Sequence, residues 1–253
     1  MTDEMSIEAY LEQGGRLTSP ANVPARYRAE LMRLMATFID SELAAAAGFA
    51  EVINDGPSVP ARIAAARIVM EKTEHAGQVL RIMGDFGADT TRYVRAHPWA
   101  QRLERGADIG ARRIDTDMRL AVFNYPLAGW PDAVVMHLLM GLAVGEQLAE
   151  FARLSYQPLA QEFRAIAPRE AAHVDLARAG LISLREEGAK GEELQPLVEY
   201  WWPRVAASFG NPTSTRAENL RRFGLRHASN ADLRQAWERK AGAELAALGL
   251  SAL

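Results

Sequence analysis

Apolar residues recur at three- and four-residue spacing through four long stretches of this chain, while the strict alternation of a half-buried strand is scarce. In residues 25–54 the stripe runs through Leu31, Leu34, Met35, Phe38 and Phe49, and Asn54-Asp55-Gly56-Pro57 stops it. Ser58 can cap a second helix that carries Pro60 in its first turn and buries Ile68, Val79, Ile82, Met83 and Phe86 before ending near Gly87. A third helix over 132–156 has an apolar face through Val135, Leu138, Leu139, Leu142 and Ala149. A fourth over 158–187 runs through Phe163, Ile166, Ala177 and Leu181, and Pro168 inside it should kink or restart it. Further helices are expected around Tyr200-Trp201-Trp202-Pro203, over 216–226 and over 231–248, the last capped by Ser229 or Asn230. Residues 1–22, with Gly14-Gly15 and Ser19-Pro20, read as a loosely ordered lead-in, and 23–253 as one domain. Residues 88–125, which include His97-Pro98-Trp99, read as short helices and loops. The expected class is all-α: a four-helix bundle with additional C-terminal helices.

Composition narrows the chemistry. The chain of 253 residues has no cysteine, which excludes disulfides, thiolate metal sites and a thiol nucleophile. Lys plus Arg (29) nearly balance Asp plus Glu (32), so bulk charge recruits neither nucleic acid nor an anionic membrane. The start Met1-Thr2-Asp3-Glu4 is not that of a signal peptide, and a cytoplasmic location is expected. The longest apolar run, 133–145, is interrupted by His137 and reads as a buried helix, too short to span a bilayer.

The informative feature is charge on the buried stripes. Leu31, Met35, Phe38 and Glu42 follow the spacing i, i+4, i+7, i+11, so Glu42 continues an apolar face, where a carboxylate needs a partner. Ile166, Glu170, His173 and Ala177 do the same, and the i, i+3 spacing lets Glu170 and His173 point at one metal. Helix two reads Glu71-Lys72-Thr73-Glu74-His75, with Ile68, Lys72, His75 and Val79 on its buried stripe. A lone Glu-x-x-His is common by chance; three helices turning charged groups inward at mid-length give it weight. Glu71, Glu74, Glu146 and Glu150 read as surface residues, although Glu71 is i, i+4 from His75 and Glu146 extends the Leu139, Leu142 stripe, so either could serve as a substitute ligand. Trp99, Trp130, Trp201 and Trp202 read as core or interface aromatics.

Laid in order, these residues resemble the catalytic A-subunit family of the ring-1,2-phenylacetyl-CoA epoxidases of phenylacetate catabolism, within the ferritin-like di-iron superfamily. The resemblance runs from about residue 22 to 250, through Val23-Pro24-Ala25-Arg26-Tyr27-Arg28, Phe123-Asn124-Tyr125-Pro126 with Trp130, Ser155-Tyr156-Gln157-Pro158, Tyr200-Trp201-Trp202-Pro203 to Phe209-Gly210, and Asn230-Ala231-Asp232-Leu233-Arg234-Gln235. It implies two irons (Fe) that activate dioxygen for insertion into the aromatic ring of an acyl-CoA, and pairing, as a homo- or hetero-oligomer, with a related helical subunit. Carried across, the metal ligands fall on Glu42, His75, Glu170 and His173.

Two positions depart. The family's second-helix glutamate falls on Lys72, and its third-helix acid at or near Gly141. Against the roughly four carboxylates of a di-iron centre, this shifts the local charge by about three units. An ammonium at Lys72 could pair with Glu42 and Glu170, or a rearranged metal site could recruit Glu71. Two functional classes follow: an acyl-CoA oxygenase with an altered centre, or a metal-free structural or regulatory partner of an oxygenase complex.

Overall fold

The structure, a computed structural model, describes residues 6–93, 99–114 and 117–253; His97, Pro98 and the first five residues lie outside these. Among the described residues there are eight α-helices and no strand. They are α1 (Ile7–Glu12), α2 (Ala25–Glu51), α3 (Val59–Asp85), α4 (Trp130–Phe151), α5 (Gln157–Glu186), α6 (Gly191–Ala207), α7 (Thr215–Arg222) and α8 (Asn230–Ala247). Ser58 and Ser229 cap α3 and α8 as their sequence contexts require, each side-chain oxygen accepting from a backbone N–H in the first turn.

A tight turn joins α2 to α3 and another joins α4 to α5, so each pair is an antiparallel hairpin, and one long crossover through residues 86–129 links the hairpins. This is the connectivity of a ferritin-like bundle. Among its described residues the crossover is irregular apart from the short 3-10 turns Thr91–Tyr93 and Ala121–Asn124. Buried groups of α2 tether it: Asp40 accepts from Arg92 at 3.1 Å and from Met118 N at 2.6 Å, and Ser41 Oγ accepts from Leu120 N at 3.1 Å.

The core is split along the bundle axis. At one end pack Tyr27 to Ile39 of α2, Ala76 to Phe86 of and beside α3, and Leu159 to Ile166 of α5. At the other pack Ala44 and Phe49, Ala65 and Ile68, most of α4, and Val174 to Leu181, against α6 and α8. On every one of α2, α3 and α5, the charged positions singled out above fall between the two apolar clusters, so a polar layer crosses the bundle at mid-height.

Some expectations need correction. Helix α5 passes through Pro168 without a break, because Pro168 lies on its exposed face and the carbonyl left without an N–H partner can bond water. Helix α4 is 22 residues, longer than the apolar run 133–145, and by length and composition it could cross a bilayer; 61% of its most apolar window is buried inside the fold, and it packs on α5, α6 and α8. Within the stretch read as a lead-in, Leu17 is buried and pairs its backbone with Ser155 and Gln157 at 2.9 and 2.8 Å. Trp130, Trp201 and Trp202 are core aromatics, as their composition suggests.

Candidate carboxylate–imidazole centre

Glu42 of α2, Lys72 and His75 of α3, and Glu170 and His173 of α5 meet in the polar layer, each no more than 4% exposed. The stripes require this: each residue stands one or two helical turns from apolar residues that cannot leave the core. Lys72 Nζ donates to Glu42 Oε1 at 3.2 Å and to both oxygens of Glu170 at 2.9 and 3.0 Å. His75 Nδ1 bridges the same two carboxylates, 3.3 Å from Glu42 Oε2 and 3.1 Å from Glu170 Oε1. His173 Nε2 lies 2.6 Å from Glu71 Oε2, while its Nδ1, 3.4 Å from Glu170 Oε1, is too far and poorly aligned for a good hydrogen bond.

Glu71 therefore joins the centre, at its more exposed edge. Glu146 does not: it pairs with Lys240 of α8. Glu150, read as a surface residue, is instead buried and accepts from the backbone of His227 at 2.6 Å and Ala228 at 2.8 Å, and from Arg153. The missed member is His137. It lies on α4 one turn before Gly141, its ring 6.1 Å from that of His173 and 4.8 Å from Phe49. The interruption it makes in an apolar run is the signal that marks it.

Electrostatics follow from burial and pairing. Burial works against the Lys72 ammonium, but Glu170 and Glu42 outweigh it and raise its pKa above the ordinary lysine value. Burial opposes the Glu170 carboxylate too, yet Lys72, His173 and His75 hold its pKa well below the usual range. His75 is likewise raised by Glu170 and Glu42 against burial. For His137 burial comes first, with Lys72 and His173 adding to it, and its pKa falls to about 3. Unfolded, that imidazole takes a proton near pH 6.5; folded, it refuses one until about pH 3, so its contribution to stability is present above pH 6.5 and lost as pH falls. His137→Leu should move the midpoint of acid unfolding, followed by circular dichroism, to lower pH; an unchanged midpoint would contradict a buried neutral His137.

Two irons do not fit these residues. An ammonium stands between the two central carboxylates, and the place of a further acid is taken: a Cβ on Gly141 would lie 2.8 Å from Val174 Cγ2. The space left beside Lys72, His137 and Gly141 is about 30 Å³, room for a water molecule and no more than a few atoms. The donor set for a single cation is better formed: Glu42, His75 and Glu170 offer ligand atoms that all lie within 4.8 Å of one another.

Four long helices with one crossover, enclosing glutamates and histidines at mid-height, define a ferritin-like helical protein. The chain belongs to the phenylacetic acid catabolic protein family, whose model matches residues 5–252. It is 25% identical over 242 residues to the A subunit of the 1,2-phenylacetyl-CoA epoxidase of Escherichia coli (strain K12), covering 93% of this chain and 72% of that protein.

Proposed function

We propose that this protein is a metal-free family member that serves phenylacetate-type catabolism as the structural or regulatory partner subunit of an aromatic acyl-CoA oxygenase complex. One observation carries the reading: Lys72 Nζ sits 2.9–3.2 Å from oxygens of both Glu42 and Glu170. A fixed ammonium, with His75 beside it, neutralises the two buried carboxylates and satisfies their hydrogen bonds, which is the role that cations play in a di-iron bundle. The centre then holds the helices together. A cytoplasmic homo- or hetero-oligomer with a related helical subunit fits this role, and the relative's designation as one subunit of an epoxidase supports it.

The compact donor set Glu42, His75 and Glu170 favours a second reading, a one-metal oxygenase acting on an acyl thioester after Lys72 swings aside, with Glu71 and His173 as further ligands. Metal analysis of protein made in iron-supplemented medium separates the two. The first reading expects iron far below one per chain. Near-stoichiometric iron, lost in His173→Ala, would overturn it.

A further inference from the structure

A second group of buried charge lies outside the centre. Arg226, between α7 and α8, is 9% exposed, and among the described residues no carboxylate oxygen bonds it. Its terminal nitrogens donate to neutral oxygens, Gln147 Oε1 and Asn230 Oδ1, both at 3.0 Å, and its buried Nε has no partner among the described residues. The carboxylate whose field reaches it, Glu150, spends its oxygens on Arg153 and on the backbone N–H groups of His227 and Ala228. Burial lowers the pKa of Arg226, but a guanidinium stays charged. A buried cation with an idle donor and no hydrogen-bonded counter-ion is costly unless something else completes it.

Arg226 lines a cavity of about 320 Å³, at the lower end of the roughly 300–1,000 Å³ typical of small-molecule sites. Its walls are largely apolar, with Phe38, Phe123, Met140, Leu148, Phe151 and Phe209 among them. Arg113 and Arg216 also line it; Arg216 pairs with Glu30 at 2.9 Å, and Arg113 donates to Thr37 Oγ1 and to the Met118 carbonyl. Glu42 lines it as well, with its charge already met by Lys72 and His75.

The geometry points to a ligand site in this cavity for an amphipathic monoanion, an organic carboxylate whose head pairs with Arg226 and whose apolar body fills the space between α2, α4 and α7. Each terminal nitrogen of Arg226 keeps one N–H beyond those given to Gln147 and Asn230, and a planar guanidinium suits the two oxygens of a carboxylate. The site does not depend on whether the centre holds a metal.

Isothermal titration of the full chain with octanoate, octanol and acetate tests it. Octanoate should bind at least about tenfold more tightly than octanol, the usual worth of a hydrogen bond to a charged group, and acetate should bind weakly for lack of an apolar body. Arg226→Gln should remove the preference for octanoate while leaving octanol binding in place, and Ala217→Phe, which fills the cavity from α7, should weaken both. If Arg226→Gln does not fold, the wild-type comparison decides alone. Equal affinity for octanol and octanoate, acetate binding as tightly as octanoate, undiminished octanoate binding by a folded Arg226→Gln, or no octanoate binding at all would each overturn the proposal.

Discussion

Lys72→Leu should destabilise the protein by about 3–5 kcal/mol at pH 7, the usual cost of removing one partner from a buried charged pair. The leucine fits the apolar surroundings, so the loss comes from what it strands: Glu42 and Glu170, 3% and 2% exposed, with only imidazoles for company. Denaturant unfolding reads it directly, and the pH dependence identifies the cause. In the wild type, Glu170 titrates well below its unfolded value of 4.5, so its stabilisation is present above pH 4.5 and lost as pH falls through the lower folded pKa. Without the ammonium, burial dominates and raises the carboxyl pKa, so the variant takes up protons on folding and gains stability as pH falls. The gap between the two proteins should therefore be widest near neutrality and shrink on acidification. A gap that does not change with pH would mean that Lys72 acts through packing alone. Lys72→Glu sharpens the test, since a third carboxylate there calls for a cation: its stability should rise with added ferrous iron, which should leave the wild type unmoved.

Which of these residues can be read from the sequence, and which cannot, comes down to where their partners lie in the chain. Glu42, Lys72, His75, Glu170 and His173 each sit on a stripe flanked by apolar residues, so one helix suffices to turn them inward. Their pairing across helices follows because opposite charges in one buried layer must meet. Glu150 and Glu146 differ only in what comes to them from far along the chain. The turn before α8 brings two backbone N–H groups onto Glu150, and α8 itself brings Lys240 to Glu146. No periodicity within α4 encodes those arrivals. Arg226 is the same kind of case, since the Gln147 it meets lies far back in the chain on α4. Pro168 departs from its expected kink for a local reason: a proline on an exposed face costs a hydrogen bond that water can replace, and packing on both sides holds the helix through it.

The apolar helix that carries His137 and Gly141 depends on a second buried charge, and Asp132→Ala should cost about 3 kcal/mol, the upper end for stranding a buried donor. Asp132, 1% exposed in the first turn of α4, accepts from Arg105 at 3.0 and 2.6 Å, from Trp201 Nε1 at 2.9 Å and from Ala128 N at 2.8 Å. It ties the crossover to α4 and α6 at one point, and its charge lies at the positive end of α4. Alanine leaves the indole N–H buried without an acceptor, a penalty of about 1–3 kcal/mol, and removes the capping charge as well. Arg105 is not fully stranded: its side chain is 33% exposed and its guanidinium stacks 3.8 Å over Tyr200, which keeps the expected loss below that of Lys72→Leu. Asp132→Asn keeps the shape and an acceptor for Trp201, so it should cost about half as much, roughly 1–2 kcal/mol. The ordering Ala worse than Asn, measured by urea unfolding with Trp201 fluorescence as a second probe, separates the hydrogen-bond role from the charge. Equal costs for the two substitutions would assign the whole effect to the negative charge and leave the indole contact without weight.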